Sequence, residues 1–195
     1  LGRISVELAI CGAQVTGVDL IQPFLDAAKE SALAENVSVE WVQADLRSFS
    51  RPAAFDVAIN VYTSFGYCQT IEEDTQILRN IARSLKPGGY FILEMVGREI
   101  AVRDFTAGEW FERAGYTVLT DFSVEGAWEG LRSHWQLYTK DGLKADHMFI
   151  QRLYAATELR QLMVSAGFAD VKIYGDFDRS PYNERARTMI LVGRK

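Results

Sequence analysis

The chain has 195 residues, 48% of them hydrophobic, and its 21 Lys and Arg against 26 Asp and Glu leave a net charge of −5. That length suits one domain with room for an insertion and a core that needs no disulfide or metal staple. The acidic balance excludes broad phosphate-backbone binding and no run approaches the ~18 apolar residues of a membrane span, so neither nucleic acid nor membrane is an expected partner.

Cys11 and Cys68 make no disulfide framework, which fits a reducing, cytoplasmic setting. Arg3 to Ile10 carries Ile4, Leu8 and Ala9 at helical spacing and stops at Gly12, a C′ glycine. Residues 13–19 follow as a short β-branched strand closed by Asp19. Pro23 suits the first turn of a helix bearing Phe24, Ala27, Ala28 and Ala32 and ending by Asn36. Val37, Val39 and Trp41 alternate with polar residues in a second strand, closed by Asp45. Residues 55–61 form a nearly continuous apolar run, the pattern of a strand buried on both faces. Thr70 to Glu73 is a capping box, followed by an apolar stripe through Ile77, Leu78, Ile81 and Leu85. Glu72, Glu73 and Asp74 complement the dipole of that helix's first turn. Lys86-Pro87-Gly88-Gly89 then breaks the helix before a strand over residues 90–96. This order predicts an α/β fold: a doubly wound, mostly parallel sheet with crossover helices on its faces.

From residue 97 to 153 the helical period gives way to alternating, aromatic-rich segments at 116–124, 131–139 and 143–151. Asp141-Gly142 is a two-residue hairpin signal, so an inserted three-stranded antiparallel meander is expected. Pairing about that turn sets His134 and His147 on one face as diagonal neighbours. Two imidazoles without a nearby Cys or third carboxylate make no metal site. A helix over residues 157–166, capped by Thr157 and ended by Gly167, returns to α/β texture. Residues 168–177 and 187–194 read as an antiparallel closing pair. The expected organisation is therefore an α/β domain from 1–96 and 154–195. Residues 97–153 form its β insertion: a lid, a substrate wall, or the interface of a homodimer.

Ligands of open α/β sheets bind outside the carboxyl ends of the strands. That rule selects Asp19-Leu20, Asp45-Leu46, Asn60-Val61-Tyr62 with the loop through Tyr67, residues 94–98, and the loop 175–185. Two strand-terminal carboxylates fit a ligand with ribose hydroxyls and an adenine amine.

Residues 2–9 with Val15-Thr16-Gly17-Val18-Asp19 resemble the nucleotide-binding unit of the class I S-adenosylmethionine-dependent methyltransferases. The resemblance continues through Val42 to Leu46, Phe55 to Ala58, Leu85 to Gly89 and the closing strands. It implies a Rossmann-like fold with S-adenosyl-L-methionine as cofactor. Gly2 would be the last glycine of the family's glycine-rich turn. Asp19 would take the ribose hydroxyls and Leu20 would pack on adenine. Asp45 with Leu46 would read the adenine edge, and Asn60, Val61 and Tyr62 would border the methionine end. The family's first strand precedes Gly2, so the sequence reads as a domain with its front edge cut off.

The Asn-Pro-Pro-Tyr segment of nucleic-acid amino-methyltransferases is absent after Asn60. Thr63-Ser64-Phe65-Gly66-Tyr67 and the β insertion instead resemble small-molecule methyltransferases, including amino-sugar and glycine-type N-methyltransferases. The expected reaction is in-line methyl transfer to nitrogen or oxygen of a small acceptor, catalysed mainly by alignment. Phe65, Tyr67, Arg98 and Tyr182 are candidates to hold the acceptor. Tyr67, Glu94 and His147 are candidates to take a proton, with water as the alternative. Asp19 at a strand end also fits a NAD-dependent oxidoreductase, although Asp45, Lys86 to Gly89 and the closing strands weigh against it. A nucleotide-binding scaffold without turnover is the other alternative.

Overall fold

The structure, a computed structural model, describes residues 1–195. The chain divides into two compact units, Leu1–Arg51 and Pro52–Lys195. Its elements are mixed helices and strands with an antiparallel meander, a Rossmann-like α/β fold as the sequence predicts.

The first unit contains α1 (Arg3–Ile10), β1 (Thr16–Asp19), α2 (Gln22–Ala34) and β2 (Glu40–Gln43). β1 and β2 are parallel, with Asp19 beside Gln43. Gly2 precedes α1 in the left-handed region, φ 69°, and a Cβ there would lie 2.5 Å from that of Ala28. Only glycine meets both constraints. Val6, Leu25, Ala28 and Ala32 form the small apolar core of this unit. On its surface, Arg51 and the Thr16 hydroxyl donate to the Glu40 carboxylate and hold its pKa down at about 2.

The second unit opens with β3 (Phe55–Asn60), α3 (Ile71–Ser84), β4 (Leu85–Met95) and the short α4 (Arg98–Arg103). The meander follows as β5 (Gly108–Arg113), β6 (Tyr116–Glu125), β7 (Gly130–Thr139) and β8 (Gly142–Arg152). α5 (Ala156–Ser165), β9 (Ala169–Tyr174) and β10 (Met189–Arg194) complete it. One sheet runs β3-β4-β10-β9, with β3 parallel to β4 and β10 antiparallel to both its neighbours. Phe91, Leu93, Met95, Met189 and Leu191 are fully buried on one face, where Phe91 stacks on Phe168 at 5.5 Å. The capping box of α3 forms in both directions, Glu73 N–H to Thr70 Oγ1 and Thr70 N–H to Glu73 Oε2, each at 3.2 Å.

Four features differ from the sequence reading. β3 is not buried on both faces: Val57 and Ile59 are 48% and 40% exposed on the face they share with Tyr90 and Ile92, and β3 is an end strand of its sheet. The strand after α3 starts at Leu85: Gly88 turns at φ 81° within it, and the Gly88 N–H and Gly89 carbonyl pair with Lys195. Thr157 lies inside α5, whose cap is Ala155, with the Ala155 N–H donating to Glu158 at 3.0 Å. The meander has four strands rather than three, because Ala114-Gly115, at φ 50° and 82°, makes a tight turn from β5 to β6.

The histidine pairing is also corrected. The turn between β7 and β8 is Lys140-Asp141, and the register shifts near Lys144, so Trp135 faces His147 and His134 faces Met148. A one-residue slip moves side chains to the other face. His134 and His147 therefore lie on opposite faces, and His134 pairs with Asp146 at 2.7 Å. No helix is long and apolar enough to cross a membrane, and no group of three His, Cys, Asp or Glu is placed to hold a metal.

Candidate functional site

In the first unit, Asp19 ends β1 and lines a hollow of about 140 Å³ with Gly2, Phe24 and Trp41. Its Oδ1 accepts the Ile21 N–H at 2.8 Å, closing a local turn. Leu20, Ile21 and Phe24 are 57%, 42% and 47% exposed, an apolar ledge in sequence beside the carboxylate. Asp45 is more committed. Arg47 donates its backbone N–H to Oδ1 at 2.8 Å and its guanidinium to both oxygens at 2.6–3.1 Å. Those bonds hold the Asp45 carboxyl below its usual range. Leu46, the next residue, is half-buried.

In the second unit, Asn60 ends β3 with its Oδ1 buried and lacking a hydrogen-bond donor. Buried polar atoms are paired as a rule, so an orphan acceptor at a strand end marks a place where a ligand donor fits. Val61 follows, and then Tyr62 and Thr63 turn through left-handed backbone, at φ 58° and 55°. The Tyr62 side chain is 63% exposed.

The loop from Thr63 to Gln69 is held by the last residues of β8. Gln151 Nε2 donates to the carbonyls of Thr63 and Phe65 at 3.4 and 3.1 Å. The Arg152 N–H donates to the Gly66 carbonyl at 2.7 Å, and a Cβ on Gly66 (φ 93°) would lie 2.8 Å from the Arg152 carbonyl. The Arg152 guanidinium donates to the Cys68 and Gln69 carbonyls and to Asp74. Asp74, in the first turn of α3, is fully buried and also accepts the Tyr154 hydroxyl at 2.7 Å. Gln151, Arg152, Asp74 and Tyr154 act through contacts 78 to 88 positions apart, and no local pattern signals those contacts.

The remaining candidates are placed as follows. Phe65 is 2% exposed and packs on Tyr154 at 5.8 Å. Tyr67 is half-exposed, 5.8 Å from the Phe149 ring, which in turn lies 5.7 Å from His147. Burial pushes the Tyr67 phenol up, so it keeps its proton near neutrality. Arg98 is tied to Glu158 and to the Leu153 carbonyl, each at 2.9 Å. The Tyr182 hydroxyl donates to Glu99 at 3.0 Å. Glu94 is buried and accepts the Tyr62 N–H and the Thr188 hydroxyl.

Burial first, then the neighbouring carboxylates, raises the Tyr154 and Tyr182 hydroxyls well above the usual 10. The unfolded chain gives up those protons near pH 10 and the folded chain only above it. Their contribution to stability is therefore complete below pH 10 and is lost as pH rises beyond it. Urea midpoints measured from pH 8.5 to 11 should fall above pH 10, and the pair Tyr154→Phe and Tyr182→Phe should flatten that fall. An unchanged slope would show that these hydroxyls are not held in the fold.

A cleft of about 650 Å³ runs between residues 67–69 and the meander, lined among others by Tyr67, Glu129, Arg132, Met148, Phe149 and Ile150. Together these features describe a Rossmann-like α/β protein with ligand-ready groups at its strand ends and a cleft against its inserted sheet.

Residues 1–89 match the family described as a methyltransferase domain. Cypemycin N-terminal methyltransferase of a Streptomyces species is 30% identical over 211 residues, 98% of this chain and 78% of that protein. The CcbJ methyltransferase from Streptomyces caelestis has the same fold, with a TM-score of 0.85 at 22% identity, over 99% of this chain and 79% of that one. The amino pentose methyltransferase CalS10 from Micromonospora echinaspora, solved with S-adenosylmethionine bound, gives a TM-score of 0.63 at 17% identity, over 93% and 74%. The chain belongs to the class I S-adenosylmethionine-dependent methyltransferases. It is a methyl-transferring enzyme whose cofactor is S-adenosylmethionine, and neither the dehydrogenase nor the scaffold alternative is favoured.

Proposed function

We propose that the acceptor is a small molecule presenting an amine, and that it lies in the cleft beside Tyr67. The observation that carries this reading is the chemistry of the cleft wall. Tyr67 and Phe149 offer rings, Met148 and Ile150 offer aliphatic surface, and Glu129 is a carboxylate among them. Arg132 is paired with Glu125, and Arg152 is engaged by Asp74 and two carbonyls, so the cations of this wall are already spent. A cationic amine on an apolar body complements rings and a carboxylate together. The similar proteins named for an N-terminus and an amino pentose point the same way.

The cofactor supplies a methyl group already activated on a sulfonium. The chain's part is to bind, orient and exclude water. In the first unit, Asp19 would take the ribose hydroxyls, Leu20 would cover the adenine, and Asp45 with Leu46 would meet its edge. Gly2 would allow close approach of backbone. In the second unit, the Asn60 oxygen would accept from the methionine ammonium, with Val61 and Tyr62 beside it. The acceptor nitrogen must be neutral to attack, and its proton would pass to water or to His147, which is exposed on the face shared with Phe149. Tyr67, holding its own proton, would orient the acceptor. Cytoplasmic residence belongs to the same proposal, supported by a sequence whose two cysteines, Cys11 and Cys68, make no disulfide framework.

Labelled-methyl transfer to a panel of amino sugars, amino-terminal peptides, phenols and carboxylic acids tests this reading. Amines should be methylated, and Glu129→Gln should raise the KM of the preferred amine without changing cofactor affinity. Turnover confined to phenols or acids would sink the amine assignment.

A further inference from the structure

The turn at the end of β3 contains two successive non-glycine residues in the left-handed region, Tyr62 and Thr63. That region is unfavourable for any residue with a Cβ, and it persists only where the surroundings over-determine it. Three distant parts of the second unit do so. Glu94 Oε2, on β4, accepts the Tyr62 N–H at 2.6 Å, and the Glu94 carbonyl accepts the Thr63 N–H at 3.3 Å. Thr188, just before β10, donates its hydroxyl to Glu94 Oε1 and lies 3.2 Å from the Met95 carbonyl. Gln151, at the end of β8, donates to the Thr63 carbonyl, and the Val96 N–H donates to Thr63 Oγ1 at 3.3 Å. Glu94, Thr188 and Gln151 are 8%, 9% and 7% exposed.

We propose that Glu94 is a positioning residue for methyl transfer. Braced by Thr188, its carboxylate locks the Tyr62–Thr63 corner and thereby sets where Asn60 and the Tyr62 ring present themselves. A carboxylate at a strand end invites assignment as the proton acceptor. Here both oxygens are already occupied by groups of the fold, one of them a backbone N–H that leaves no choice of geometry. Gln151 extends the same lock to the inserted sheet, so the wall of the acceptor cleft and the corner at β3 are parts of one rigid arrangement in this unit.

The two roles for Glu94 predict opposite behaviour of the glutamine variant. In E94Q the amide oxygen still accepts the Tyr62 N–H. Its NH2 can donate to the Thr188 oxygen, freeing that hydroxyl to donate to Met95. In E94L both bonds are lost at similar volume. The probe is S-adenosylhomocysteine, which needs no knowledge of the acceptor, so the result stands apart from the fate of the amine assignment. Calorimetric affinity and amide hydrogen exchange over residues 60–66 are read on the full chain. E94Q should match the native chain in both. E94L should exchange faster at Tyr62 and Thr63 and bind roughly ten-fold more weakly, the order of effect of one lost buried hydrogen bond. If E94L does not fold, T188V decides in its place: exchange at Tyr62 should quicken and affinity should drop a few-fold. E94Q as damaging as E94L, with the corner still protected, would show that the charge itself is required and overturn the proposal. Unaltered exchange and affinity in E94L, or in T188V where that variant decides, would overturn it as well.

Discussion

Asp74→Ala is expected to destabilise the chain by about 3–5 kcal/mol, the usual cost of removing one partner from a buried charge pair. Asp74 is fully buried, and its carboxylate takes the Tyr154 hydroxyl at 2.7 Å and the Arg152 Nε at 3.4 Å. Removing it leaves a buried phenol without an acceptor and a guanidinium without its counter-charge, and each loses more than the bond itself is worth. Asp74→Asn should cost less, because an amide oxygen still accepts from Tyr154. Replacing all three partners, as Asp74→Leu, Arg152→Met and Tyr154→Phe, should recover part of the loss, since the charge pair and the phenol are then gone together and only the Cys68 and Gln69 carbonyls lose a donor. Urea unfolding of the four proteins checks the order. A single-variant loss below about 1 kcal/mol, the value of an exposed ion pair, would show that water reaches the cluster. The recovered triple variant should still bind acceptor poorly, because Arg152 also holds the Cys68 and Gln69 carbonyls beside Tyr67.

The same cluster shows where sequence reading ends. The capping box of α3, the glycine after α1 and the antiparallel closing strands were legible because each is written in neighbouring residues whose chemistry has one reading. Asp19 was legible at the end of its strand, whereas β2 starts at Glu40 rather than Val37 and stops at Gln43, so Asp45 lies in the loop two residues beyond it. Asp74 was not, since an acid in a helix's first turn looks the same whether it faces water or a tyrosine 80 positions away. The histidine pairing failed on a single irregularity near Lys144, which has no side-chain signature and yet takes His147 off the face of His134. Glu94 stood out as a candidate for its position, but its partners Thr188 and Tyr62, 94 and 32 positions away, decide what it does. Patterns report elements, and chemistry depends on which elements meet.

Asp19→Ala should weaken S-adenosylmethionine binding by about 1–3 kcal/mol if its carboxylate takes the ribose hydroxyls as proposed. Its Oδ1 is used locally by the Ile21 N–H, so the variant also loosens the turn that carries the exposed Leu20. Asp19→Asn separates the two effects: the amide oxygen keeps the turn, while the charge that strengthens hydroxyl binding is gone. Calorimetry should therefore rank native, Asn and Ala in falling affinity, and equal affinity in all three would remove Asp19 from the site. Asp45 should behave differently, because Arg47 already occupies both of its oxygens. An adenine amine would have to share that carboxylate, so Asp45→Ala should cost less than Asp19→Ala. Its cost should appear with S-adenosylhomocysteine and vanish with the inosine analogue, whose ring carries an oxygen where adenine carries its amine. The ribose is common to both ligands, so the Asp19 loss should be the same with either. A loss at Asp19 that changed with the base would place its carboxylate at the ring rather than the sugar.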